Sequence, residues 1–517
     1  MMFYGKTKSI KMSDSRTKNV SRNIFIGIIL KIVTLLLPFI TRTLLIYLLG
    51  TDSVGVSTLF TSILSFLSLA ELGFGSAVVY SMYKPIADED YTTINSLLNY
   101  YKKLYRIIGF LILIIGIILI PFLPFLIKDE VPSEININSL YLLFLVNTVI
   151  SYFFAGYRQS ILIAYQRTDI RDKIAILVLV FVRIGEVLAI YFTKSLYVYE
   201  IVAIIGTVIT NVLTAIVTRR MFPNIKCEGT IELKVKKDIS KRLGGLFGTK
   251  LNSIVVNQAD SIVISSFLGL KLLTQYGNYY YILNAVSGVI MILFTSMTAS
   301  IGNKIASDSS ETVFVVFKRI NFLNNWVVGW CTICLACLYH PFMIIWVKDS
   351  LSLPIAMSFL MALYFYVSQV QRALLTFKDA AGLWYEDRLR PFISMIINLV
   401  SNLILVNLIG IYGIVLSTII SFLISIPWCN YIVFKYLFKL SPLKNIKQML
   451  LNFLITLGVG SLTFFVCSFF DYSIIGLIYK IIVCLFIPNL FYLILFMKTD
   501  ECMYYKDICL RFLRREK

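Results

Sequence analysis

Apolar residues in this chain recur from end to end in blocks of about twenty, which is the length one helix needs to cross a hydrocarbon core of about 30 Å. Fourteen blocks can be read, at roughly 23–49, 54–79, 107–127, 138–165, 174–193, 198–218, 243–268, 273–300, 322–347, 352–377, 391–409, 412–434, 448–470 and 473–496. None has the alternation of a barrel strand. Of the 517 residues, 58% are apolar and only 15% charged, against about 45–50% and a quarter in soluble domains. The spans use nearly all the apolar residues, so a soluble multidomain enzyme is excluded. The expected fold is an all-α integral membrane protein of about 14 transmembrane helices.

Charge sets the orientation. A net charge of +20 would suggest nucleic acid in a soluble chain, but here the basic residues fall mainly in the gaps between blocks, so no nucleic-acid partner is expected. Of 48 lysines and arginines, 37 lie in gaps on the side shared by both termini. Four lie on the other side (Lys128, Lys194, Lys271, Lys348) and seven inside spans. The positive-inside rule then places both termini in the cytoplasm, and an odd number of spans would have mixed the two sets. The first block follows a basic leader but carries Lys31 and Arg42 and shows no cleavage site, so it reads as a retained helix.

The expected domains are a cytoplasmic basic leader (1–22), an N-terminal lobe of six spans (23–218) and a cytoplasmic linker (219–242). A C-terminal lobe of six spans (243–434), two appended spans (435–497) and a cytoplasmic basic tail (498–517) follow. The lobes share a faint repeat: Lys31 stands 19 residues before Gly50, and Lys250 stands 19 residues before Gly269. Transporters are commonly built from two such halves around a central site.

Charges inside spans are the main chemical signal. Each costs about 2.5–3.5 kcal/mol at a helix centre, so they are expected to face one another, a counter-ion or water. Lys31 and Arg42 fall on one helix face, about 16 Å apart, with Pro38 expected to break or kink the helix between them. Lys250, Ser253, Asn257 and Ser261 fall within about 80° on the seventh span, flanked by Gln258 and Asp260. Arg183 and Glu186 are three residues apart and can neutralise each other. Arg158 reads equally as a lining residue or a snorkelling one, Arg372 as snorkelling, Lys480 as an interfacial anchor and Glu200 as an edge residue.

The nine cysteines imply no disulfide framework. The run Cys331-x2-Cys334-x2-Cys337 has iron–sulfur spacing but lies within a span, where no loop can wrap a cluster, so it reads as packing. His340 is the only histidine, which excludes a multi-histidine site; no metal site and no catalytic residue are expected. The acidic run Asp88-Glu89-Asp90 reads as a solvated loop.

The segment AELGFGSAVVYSMYKPIADEDYTTINSLLNYYKKLYRIIGF (70–110), with NQADSIVISSFLG (257–269), resembles the Wzx-type oligosaccharide flippases of the multidrug/oligosaccharidyl-lipid/polysaccharide exporter superfamily. The resemblance implies two six-helix lobes around a central cavity plus two C-terminal helices. It also implies a substrate, an oligosaccharide repeat unit on undecaprenyl diphosphate, moved from the inner to the outer leaflet of a bacterial plasma membrane. Membrane lipid, the polysaccharide polymerase and the chain-length machinery are the implied partners.

A basic cavity suits a diphosphate, and the candidate cations are Lys31, Arg42, Arg158, Arg183 and Lys250, with Ser253, Asn257, Gln258 and Ser261 as polar lining. An ion-coupled multidrug or small-molecule exporter of the same superfamily is the alternative. The chain has no Gly-rich phosphate loop, so no cofactor is expected and a proton or sodium gradient is the energy source left. Asp260, Glu71 and Glu186 are the candidate coupling carboxylates, although Asp260 can equally form a permanent ion pair that only holds the lobe together.

The charge pattern makes a topology prediction. Reporters fused after Lys84, Arg220 and Lys444 read cytoplasmic, and reporters after Asp52, Glu130 and Asp471 read external; two on the wrong side break the fourteen-span reading.

Overall fold

The computed structural model describes residues 12–71, 74–129, 131–132 and 134–513, and among these the regular structure is helical throughout. In chain order the helices are α1 (Met12–Leu67), α2 (Phe74–Ala87), α3 (Tyr91–Leu119), α4 (Ile137–Phe153), α5 (Gln159–Ala164), α6 (Thr168–Thr193), α7 (Leu196–Met221) and α8 (Leu233–Phe267). They continue with α9 (Leu270–Ser307), α10 (Ser310–Val347), α11 (Ile355–Val370), α12 (Arg372–Ala380), α13 (Arg390–Ile409), α14 (Ile411–Ile432), α15 (Leu443–Cys467), α16 (Ile474–Phe496) and α17 (Asp500–Leu513). Among the described residues ten stretches are long and apolar enough to cross a membrane, and the α4–α5 pair, bent by 51°, taken as one span is an eleventh. When the two arms of α1 are taken separately and α8 and the α11–α12 pair are added, each of the fourteen apolar blocks falls on helical structure among the described residues.

The chain forms two compact units, 1–250 and 251–517, so the division falls within α8. In the first unit α6 packs on α1 and α7, and α4 packs on α3 and α7. A buried cluster including Val78, Met82, Leu98 and Ile161 also takes in Ile239 of α8. Asn95 and Asn99, one turn apart on α3, hold the α7–α8 connection: Asn95 accepts from the Lys226 N–H at 2.7 Å, and Asn99 donates to the Gly229 carbonyl at 2.8 Å. In the second unit α13 packs on α14, while α10 packs on α11, α15 and α16.

The break expected at Pro38 lies elsewhere. The helix runs through Pro38 and leaves helical dihedrals only at Gly50 (φ 83°, ψ 169°). Proline removes one donor, and the helix ladder on either side is sufficient to carry the chain through. Gly50 instead adopts a region open essentially only to glycine, and this turns the chain into the second span.

Gly269, its partner in the repeat, has nearly the same conformation (φ 97°, ψ 171°) between α8 and α9. The fourth span is also broken in both units, between α4 and α5, where Ala155 is left-handed (φ 60°), and at Gln371 between α11 and α12. An arginine follows each break, Arg158 and Arg372. The repeat seen in two sequence positions is therefore repeated in the backbone.

The acidic run at 88–90 is an exposed turn, as expected of a solvated loop, and its last residue caps α3. Asp90 accepts from the Thr93 N–H at 3.0 Å, and the Thr93 hydroxyl and N–H hold its carboxyl below the usual value. This is ordinary capping of α3.

Glycine at both turns can be tested. No heavy atom lies within 4 Å of a Cβ built on Gly50, so the cost of alanine there is backbone strain alone, about 1–3 kcal/mol. Gly50→Ala and Gly269→Ala each lower the melting temperature of the purified protein in detergent. Gly458→Ala, within α15 where a Cβ also meets open space, leaves it unchanged or raises it.

Candidate functional site

The carboxylates inside spans show what the buried polar groups can do. Asp260 on α8 is 2% exposed, and every hydrogen bond recorded to it comes from an uncharged group. Asn402 Nδ2 on α13 donates at 2.8 Å, the Tyr276 hydroxyl on α9 at 3.0 Å and the Thr418 hydroxyl on α14 at 3.3 Å. A further layer orients these donors. The Ser417 hydroxyl donates to Asn402 Oδ1, and Asn398 Nδ2 donates to Thr418 Oγ1 at 3.0 Å. Asn398 Oδ1 is buried without a hydrogen-bond partner. Four helices thus converge on one carboxylate, leaving a spare amide oxygen in the same cluster. Such a cluster of carboxylate, hydroxyl and amide oxygens is the donor set that suits a proton or a small hard cation.

The other acids are satisfied differently. Glu71, on the turn after α1, accepts from the hydroxyls of Tyr105 (2.5 Å) and Tyr152 (2.7 Å). Glu186 pairs with Arg183 at 2.5 Å, and Arg183 also reaches the Tyr199 hydroxyl. Glu200, which reads as an edge residue in the sequence, is 3% exposed and accepts from Asn147 Nδ2 at 2.7 Å; Thr207 in turn donates to Asn147. A buried triad lies at the start of α13: Asp387 accepts from Lys378 at 3.0 Å and from both sides of the Arg390 guanidinium at 2.6 Å.

The expected cations divide by burial. Lys31 and Arg42 are half-exposed on α1. Arg158 is 6% exposed, on the turn between α4 and α5. Its Nη2 lies 3.9 Å from Cys227 Sγ, while Nε and Nη1 have no hydrogen-bond partner. That turn needs Gly156, where a Cβ would stand 2.5 Å from the Ser151 carbonyl oxygen. The side chains of Lys250 and Asn257 lie outside the described residues.

The expected polar stripe on α8 does not share one environment: Ser253 is exposed, Gln258 half-buried, and Ser261 buried beside Asp260. Lys480, expected as an interfacial anchor, is instead 3% exposed, with its ammonium 4.3 Å from the Tyr472 ring centre. An aromatic face supplies the attraction that open water would otherwise provide.

Sequence reasoning found Asp260 but not its partners. Asn398 and Asn402 carried the available signal, a pair of amides one turn apart on an apolar helix. Tyr276, Ser417 and Thr418 carried none, because such residues occur throughout the spans.

Residues 20–301 match the family described as "Polysaccharide biosynthesis protein", more than half of the chain. No curated protein matches. Among solved structures the fold is similar to that of the lipid II flippase MurJ in an inward closed conformation (TM-score 0.62, 15% identity, 92% of this chain and 98% of that one). It is also similar to a multidrug resistance MATE family transporter in an inward-facing conformation (0.58, 14%, 75% and 92%). A mutant of the Vibrio cholerae MATE transporter VcmN is a third (0.56, 14%, 83% and 99%). At these identities the likeness is one of fold.

The Arg183–Glu186 pair gives a direct test of how burial weighs on charge. Removing only the cation, Arg183→Met, strands a buried carboxylate and costs about 3–5 kcal/mol. The double variant Arg183→Met/Glu186→Met recovers most of that loss. Thermal melting of the three proteins in detergent reads both changes; equal melting of wild type and Arg183→Met would show that the pair carries no stability.

Proposed function

The chain belongs to the Polysaccharide biosynthesis protein family, and on that premise we propose that it is a flippase. Its substrate is an oligosaccharide repeat unit on undecaprenyl diphosphate, moved from the inner to the outer leaflet of a bacterial plasma membrane by alternating access, with both termini cytoplasmic. The observation that carries this reading is the family match over 20–301. The fold shared with a lipid II flippase along nearly its whole length supports it. The reaction is transport with no covalent step, so the polysaccharide polymerase and chain-length machinery act on what it delivers.

In this reading the half-exposed Lys31 and Arg42 of α1 meet the diphosphate together with Lys250, the repeat partner of Lys31. A bare diphosphate cannot cross hydrocarbon, and charge-assisted contacts to these cations lower that barrier. Arg158, with two donors to spare, is a further contact during the cycle. Arg183, already paired, holds α6 in shape.

Energy comes from a proton or sodium gradient acting at Asp260. Its neutral surroundings leave the carboxylate able to take up a cation and release it when α8, α9, α13 and α14 shift. Glu71, held by two tyrosines of the first unit, is the rival coupling carboxylate.

The alternative is export of a drug or small molecule, favoured by the fold shared with multidrug resistance MATE transporters.

Deletion of the gene in its own host accumulates lipid-linked saccharide in the inner leaflet, which drug export does not explain. Lys31→Gln and Lys250→Gln abolish surface glycan at normal protein abundance, and arginine at either position partly restores it. In liposomes with an imposed gradient, Asp260→Asn still binds lipid-linked saccharide but loses gradient-driven flipping; stimulation equal to wild type would remove Asp260 from the coupling mechanism.

A further inference from the structure

Three helices of the second unit bring one cysteine each to a single point. Cys337 of α10, Cys467 at the end of α15 and Cys484 of α16 are each at most 3% exposed, and their Sγ atoms all lie within 4.8 Å of one another. Only Cys337 belongs to the evenly spaced run in the sequence. The other two come from 130 and 147 residues further along the chain.

A cavity of about 320 Å³ adjoins two of the thiols, lined by Cys337, Cys467, His340, Asp471, Tyr472 and Lys480 among others. His340 lies one turn beyond Cys337 on the same face of α10, and its Nδ1 is buried without a hydrogen-bond partner. Packing alone accounts for a buried thiol, but not for three converging beside an imidazole nitrogen that has no hydrogen-bond partner and a buried ammonium.

We propose that Cys337, Cys467 and Cys484 form a tri-thiolate site for a thiophilic divalent cation of the zinc class, with His340, which stands outside the 4.8 Å cluster on the cavity lining, turning in to close the fourth position through Nδ1. Ligands about 2.3 Å from such an ion stand about 3.8 Å apart in a tetrahedron. Sulfurs already within 4.8 Å reach that spacing by rotamer adjustment. Each thiol loses its proton to water as it binds, giving three negative charges against two on the ion. Lys480, buried in the lining of the same cavity, offsets the excess negative charge, while Asp471 on that lining is exposed to solvent. A monovalent ion such as Cu(I) would leave one charge uncompensated, which decides for the divalent class. The site ties α15 and α16 to α10, and its ligands come from residues the proposed transport cycle does not use.

The probe is cadmium, titrated into the reduced, full-length protein in detergent and followed by the ultraviolet sulfur-to-cadmium charge-transfer band. One equivalent per chain binds, and zinc displaces it. Cys467→Ser and Cys484→Ser each weaken binding more than tenfold and diminish the band. His340→Ala weakens binding about tenfold but keeps the three-thiolate band, whereas Cys429→Ser and Cys509→Ser change nothing.

Should a serine variant fail to fold, alkylation of the wild-type protein reads the same site: bound zinc protects Cys337, Cys467 and Cys484 but not Cys509. The proposal is overturned by no band at one equivalent, by protection that ignores these three cysteines, or by a disulfide between two of them in protein isolated without reductant.

Discussion

Inside hydrocarbon no water is present to hydrogen-bond a peptide group, so each N–H and C=O must be satisfied within the protein. Everything regular in this chain follows from that constraint. Spans are helices because helices close their own ladder. Departures from the ladder occur where something else holds the backbone. Gly50 and Gly269 turn the chain between spans in a conformation that glycine tolerates without side-chain conflict. The break at 155–158 brings the backbone at Gly156 against the Ser151 carbonyl, where only glycine leaves room, and packs Tyr157 into the buried cluster of the first unit. Pro38 removes a single donor and leaves the helix intact, because the neighbouring ladder bonds persist.

The same constraint governs side chains, and the acids meet it in three ways. Arg183 neutralises Glu186, a charge pair that one helix carries by itself. Two tyrosines bind Glu71. Asp260 draws amide and hydroxyl donors from three other helices, and no cation is among its recorded partners. These arrangements differ in consequence: an ion pair has its counter-charge built in, whereas a carboxylate held by neutral dipoles can still accept a mobile one. Because the Asp260 donors sit on separate helices, any movement of α9, α13 or α14 alters the site.

The shared architecture fixes the fold and leaves the cargo open. This chain shares its fold with a lipid flippase at 15% identity and with a multidrug transporter at 14%, so one fold serves unlike substrates. Here the half-exposed cations of α1, within the region that matches a polysaccharide biosynthesis family, point toward an anionic carrier.

How much was legible follows from the range of each interaction. Span length, helix class, the fourteen apolar blocks and the alternation of basic gaps are properties of contiguous sequence, because the membrane acts on each segment independently. The Lys31–Gly50 and Lys250–Gly269 spacing showed the repeat for the same reason, and the Arg183–Glu186 pair was readable because its partners are three residues apart. Contacts between distant segments were not readable. Asn402 and Thr418 reach Asp260 across 142 and 158 residues, and Cys467 and Cys484 meet Cys337 through the packing of α15 and α16 on α10. Lys480 looks like an anchor near a span end until Tyr472 covers it. The sequence by itself determined which segments enter the membrane, since that is decided by local transfer free energy. Only the tertiary structure decided which polar groups share a pocket, because helix rotation and packing set that, and apolar periodicity constrains them weakly when every face of a span is apolar.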